Sequence, residues 1–289
     1  MSKLTIFLAT MLAVLCAAPA TLLPAPLSGA AFGTDAGAEG ETAGEPLDAV
    51  FGTSWGMTLA LDGTGFYNEL IGHVLPLVTD EAAANGRAYV PLPYKRAKMQ
   101  FEILENSCIY PATIEHLRRG QDIDNRQEYI ETSPMLVVES HIFSRPGMPP
   151  LTSMDALANR TVAYPNGSSL PVVLKDYNIR FVPTTDENTK ARMLIAGRVD
   201  HMSGSLPDNI FVFQALGHPL PPYNPDLSLL KVGVGIVCHR NGKNEAFVAA
   251  VNAVLAKPHM RQKMEVFLRD KGVAQRFLPP HVVKAAGAE

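Results

Sequence analysis

Residues 166–169 read Asn-Gly-Ser-Ser and lie between a strand-like run and a helix-like run. The start of a helix gathers unpaired backbone N–H groups and a positive dipole end, so Gly167, Ser168 and Ser169 are placed to donate hydrogen bonds to an anion. In VPLPYKRAKM (90–99) an apolar run stops at two prolines, and Tyr94, Lys95 and Arg96 follow at once. Proline withholds a ladder donor and suits a first helical turn. Tyr94 therefore falls at the carboxyl end of a strand, where its ring can cover a flat or cationic ligand face, while Lys95 and Arg96 stay solvated. Trp55, the only tryptophan, falls near the end of the first strand and is either a core residue or a second aromatic wall. The exported chain keeps two cysteines, Cys108 and Cys238, which form either a disulfide or two small buried thiols.

Other chemistries find no support. The eight histidines are scattered, and neither HExxH nor CxxC occurs, so no metal site and no cofactor is implied. A Gly-rich phosphate loop is also missing. His116, His141, His201 and Glu115 are the candidate acids and bases, but no two of them form a pair in sequence.

The elements that must position these residues alternate. AVFGTSWGMTLAL (49–61) is β-like, and the apolar spacing predicts a helix over 63–78. RAYVPLP (87–93), CIYPATI (108–114), RTVAYP, IRFVPTT and RVDHMSG read as strands, with helices over 94–104, after NGSS, and over ENTKARMLIAG, which Gly197 closes. LLKVGVGIVCHR is a strand, and two amphipathic helices split by Pro258 end the chain. Strands separated by helices indicate an α/β parallel sheet. Three prolines and a glycine within HIFSRPGMPPLTSMDAL mark a crossing between two α/β series. Such sheets bind ligands at the carboxyl ends of their strands.

The chain has 289 residues, 47% hydrophobic and 18% charged, with a net charge of −3, which does not suit a nucleic-acid binder. Lys3 precedes LTIFLATMLAVLCAA, a largely apolar stretch of 15 residues followed by small ones. That is short of the roughly 20 a membrane span needs and fits a signal peptide over 1–31. Residues 32–48 are Gly-, Ala- and acid-rich and read as a disordered tether.

LPYKRA, NRQEYIETSPM and LIAGRVD, in that order after a signal peptide, resemble the periplasmic solute-binding proteins of extracellular family 3, over about 49–275. The resemblance implies a two-lobed, type II periplasmic-binding-protein-like fold with two hinge strands. It places lobe one at 49–142 and 232–289, and lobe two at 143–231. It also implies a periplasmic monomer that captures a small polar, carboxylate-bearing solute for the membrane permease of an ABC importer.

In that family an arginine shortly before an apolar–Ser/Thr–Pro segment grips the ligand carboxylate, which points to Arg126. The run LRRGQDIDN precedes it and leaves Arg118 or Arg119 as alternatives. Ser168 and Ser169 with Gly167 would bind the same carboxylate, and Thr113 would add a hydroxyl. The family's amino-acid binders carry an acid about five positions after the GRVD aspartate. Here that position is Ser205 and the nearest acid is Asp208, so either Asp208 substitutes, or the ligand is a carboxylate without an ammonium or another small polar solute. The resemblance also sets the strands of Cys108 and Cys238 side by side, antiparallel, which permits a cross-strand disulfide. A few relatives are dehydratases, so an enzyme on this scaffold is the alternative, as is a sensing module for a membrane partner.

Overall fold

The computed structural model describes residues 48–78 and 87–280; the signal peptide and nearly all of the acidic tether expected from the sequence lie outside the described residues. Three parallel strands open the chain: β1 (Ala49–Ser54), β2 (Ala88–Pro93) and β3 (Cys108–Ala112). β1 sits between the other two and is buried at every position, as a central parallel strand covered on both faces must be. It stops before Trp55, because Asp62 accepts from the Thr64 N–H and folds the 57–64 stretch into turns where sequence had extended the strand. Helix α1 (Phe66–Gly72) follows β1, and α2 (Tyr94–Ile103) leaves β2 directly, with Tyr94, Ala97 and Phe101 on its buried face. α3 (Ile114–Arg119) leaves β3.

A short strand β4 (Tyr129–Glu131) leads into β5 (Leu136–Ser144), which spans the point where sequence placed the crossing. The second parallel set is β6 (Thr161–Pro165), β7 (Arg180–Thr184) and β8 (His201–Leu206). Its helices are α4 (Leu170–Val173), α5 (Glu187–Ile195) and α6 (Asp208–Ala215). α4 is one turn long, shorter than the helix expected after NGSS; Val172 and Val173 are β-branched and sustain a helix poorly.

β9 (Tyr223–His239) is 17 residues long and joins the two sets. Its first part runs antiparallel to β5, and its last part runs antiparallel to β3 and β4. The sheet order is β2-β1-β3-β9-β5-β8-β6-β7. Two strands, β5 and β9, thus connect a parallel half-sheet on each side. α7 (Gly242–Leu255), capped by Asn241, and α8 (Pro258–Asp270), opened by Pro258, complete the chain.

One apolar cluster runs through both halves, from Val50 and Tyr110 to Ala163, Met202 and Phe213. Phe66 of α1 packs 5.0 Å from Phe211 of α6. Cys108 and Cys238 are direct register partners on β3 and β9 and are joined by a disulfide.

Candidate ligand cleft

The carboxyl ends of β1, β3, β6 and β8 converge on one cavity of about 170 Å³. Most of its wall surface is apolar, with Leu59, Ile109, Leu117, Val138, Leu229 and Val232 among the lining residues, and Ser140, Ser203 and Ser205 add hydroxyls. The Trp55 and Tyr94 rings stand 4.1 Å apart at 45° and both line it. Tyr94 is buried while Lys95 and Arg96 are exposed, so the aromatic turns inward and the cations face water.

Ser168 and Ser169 reach the cavity from the loop after β6. The Ser168 hydroxyl accepts from the Leu170 N–H, and the one-turn α4 offers no extended helix start behind it. Gly167 is exposed beside the Tyr94 ring, at a φ of 88° that suits glycine. Gly120, just after α3, lies close against the opposite half: a Cβ there would meet the Ser169 hydroxyl at 2.9 Å.

The expected Arg126 is not among the residues that line this cavity. It sits exposed in a 3-10 turn capped by Asn125, outside the cavity lining. The first three residues of the preceding run, Leu117–Arg119, end α3, and the exposed Arg119 is among the cavity's lining residues. Thr113 also lies outside the lining: it precedes α3, its carbonyl accepts from the Leu117 N–H, and neighbouring Ala112 takes the wall position. Of the candidate acids and bases, His116 lines the cavity, and its pKa is lowered chiefly by burial, which favours the neutral ring. Glu115 is exposed and pairs with Arg118 at 3.2 Å. His141 and His201 are buried within β5 and β8, away from the cavity wall.

Sequence reading missed two further charges. α5 buries Glu187, Lys190, Ala191 and Leu194, an i, i+3, i+4, i+7 face whose first two members are ionic. Lys190 is 0% exposed, and its ammonium lies 2.8 and 2.7 Å from the two Glu187 carboxylate oxygens. Both residues line the cavity. The signal was legible as a lysine and a glutamate on the same helical stripe as Ala191 and Leu194. The Glu187 N–H also donates to the Trp55 carbonyl at 2.9 Å, tying α5 to the end of β1.

Asp208 starts α6 beside this pair. Tyr67 donates to one carboxylate oxygen at 2.9 Å and Thr58 to the other at 3.3 Å, so groups from the first half clasp an acid of the second. Asp208 keeps some surface toward the cavity but is walled in by protein. Burial, then the charge of Glu187, push its carboxyl up to about 7, against the hydrogen bonds from Tyr67 and Thr58 that pull it down. Burial followed by the charge of Asp208 raises the Tyr67 phenol well above its ordinary value, so it remains a donor.

Two parallel half-sheets joined by β5 and β9, with a cavity at the strand ends between them, define a two-lobed, type II periplasmic-binding-protein-like fold. The ligand-binding core of GluR0 from Nostoc punctiforme, solved with L-glutamate, shares it at a TM-score of 0.59 and 14% identity, over 77% of this chain and 97% of that one. The substrate-binding protein of an amino acid ABC transporter matches at 0.56 and 11% identity, over 77% and 98%. An ancestral amino-acid-binding protein described as a precursor of cyclohexadienyl dehydratase matches at 0.53 and 14%, over 77% and 95%. No family model matches the sequence, and no curated protein does.

Proposed function

We propose that the chain is a periplasmic solute-binding protein. It closes its two lobes on a small carboxylate-bearing molecule and delivers it to the permease of a membrane importer. The observation that carries this reading is the cavity at the converging strand ends, between both half-sheets, with Arg119, an exposed residue, as the one arginine in its lining. Guanidinium matches carboxylate geometry, and a low-dielectric wall strengthens the pair. The solved neighbours support capture of amino acids and related solutes as the general activity. No helix among the described residues is long and apolar enough to cross a membrane, so the permease is a separate chain in this reading.

A thermal-shift screen over organic acids, amino acids and polyamines tests it. The ligand stabilises the fold in proportion to the logarithm of its concentration over Kd. Arg119→Gln reduces affinity for the stabilising acid by roughly 10- to 100-fold, the loss of one charge-assisted contact. Arg126→Ala leaves it unchanged. If Arg126→Ala abolishes the shift and Arg119→Gln does not, the assignment fails.

Asp208 favours a second reading. A carboxyl group poised near neutrality in an enclosed cavity is suited to general acid–base work. Recovery of the ligand chemically changed after incubation supports an enzyme; recovery unchanged supports a binder.

A further inference from the structure

We infer that the solute is an apolar monocarboxylate lacking an ammonium group: a single ring or branched chain bearing one acid. This deepens the proposed reading of the cavity as the solute site and rests on it.

The first observation concerns the acids. An α-amino acid needs an anion for its ammonium. Two carboxylates line the cavity with Asp208 and Glu187, and both are engaged. Glu187 is ion-paired with the fully buried Lys190, which donates a hydrogen bond to Oε1; Oε2 lies 2.7 Å from the same ammonium without a hydrogen bond. Asp208 already accepts from Tyr67 and Thr58, one on each oxygen. An ammonium buried without a partner is strongly disfavoured.

The second observation concerns the donors. Lys190 carries three N–H groups, and among the described residues its only partner is the Glu187 carboxylate. The buried Trp55 Nε1–H has no acceptor among the described residues. Both residues line the same cavity as Arg119. Donors without acceptors call for a ligand that brings acceptor oxygens.

The third is shape and polarity. Most of the wall's surface is apolar, from Leu, Ile and Val side chains and the rings of Trp55, Tyr67 and Tyr94, with serine and threonine hydroxyls between them, which rewards a largely apolar body. An apolar cavity of about 150 Å³ accommodates benzene. The cavity of about 170 Å³ thus suits a body of roughly six to ten heavy atoms.

Isothermal titration of the mature chain at pH 7 decides it, using 3-phenylpropanoate and 4-methylpentanoate against phenylalanine, leucine and phenethylamine. The two acids bind at least about tenfold tighter than the amino acids that differ from them by one ammonium, and phenethylamine does not bind. Arg119→Gln weakens the acids while the melting temperature of the free protein holds. Tighter binding of phenylalanine or leucine, binding of phenethylamine, or stabilisation only by polyamines or polar acids overturns this inference and leaves solute capture standing. A folded protein that no member of the wider solute panel stabilises overturns solute capture as well.

Discussion

Asp208 ties cavity electrostatics to folding, and the link is measurable as a pH profile. Its carboxyl lies near 7 in the folded chain against an ordinary value of 3.8. The folded state therefore holds the proton more tightly than the unfolded one between these limits. Stability from this group is complete below about pH 4, falls as pH rises to about 7, and is flat above. From pH 5 to pH 8 the linkage integral is about 2.5 kcal/mol. Residual solvation toward the cavity reduces this to about 2 kcal/mol. For a domain of this size that corresponds to a melting shift of about 4–8 °C. Asp208→Asn keeps a carbonyl oxygen to accept from Tyr67 or Thr58 but cannot ionise. The assay is calorimetric melting of wild type and Asp208→Asn from pH 5 to 9, read as the difference between the two profiles, so that all other titrating groups cancel. The difference favours Asp208→Asn increasingly up to about pH 7 and then levels off. Parallel profiles, or a difference that grows toward acid, refute the reasoning.

Lys190→Met strands Glu187 as a buried, unpaired acid and costs about 3–5 kcal/mol, whereas the double change Lys190→Met, Glu187→Met recovers most of it; chemical denaturation of both variants checks the cycle. Cys108 and Cys238 close a loop with a sequence separation of 130. Replacing both with serine removes up to about 5 kcal/mol of chain-entropy stabilisation and lowers the melting temperature on the order of 10 °C in scanning calorimetry.

Much of the architecture was legible because hydrophobic spacing reports which face is buried. The parallel strands appear as short Val-, Ile- and Tyr-containing runs, and Pro93 and Pro258 stand immediately before or at the start of α2 and α8. β9 was read only from its second half. Its first half carries Pro225, which normally argues against a strand; the proline is tolerated because it is exposed where the pairing with β5 shifts register. Tyr94, Trp55, Ser168, Ser169 and Asp208 could be placed at strand ends by counting along elements, and the structure sets them around one cavity. Arg126 could not be placed that way. Whether the nine preceding residues form a loop or a helix changes which arginine lines the cavity, and no periodicity in so short a run decides it. Glu187 and Lys190 were passed over because charged residues on a helix are most often on its solvated side.

That last pair shows where the sequence departs from what the fold needs. A buried ion pair is weak evidence for stability, since removing two charges from water costs about as much as their attraction returns. The stripe of α5 that carries Ala191 and Leu194 would pack as well with two more aliphatic residues. Core packing therefore gives no reason for Glu187 and Lys190, whereas the cavity does. They occupy the first turn of α5, the end nearest Trp55, and the field of Glu187 helps hold the proton on Asp208. Removing the negative charge of Glu187 without its partner would lower the Asp208 carboxyl and strengthen its claim on a cation. The pairing with Lys190 instead holds the Glu187 carboxylate beside Asp208, whose carboxyl it helps raise to about 7. Selection of the ligand's charge and the clasp between Tyr67, Thr58 and Asp208 thus depend on the same few groups, so a substitution that alters one alters the other.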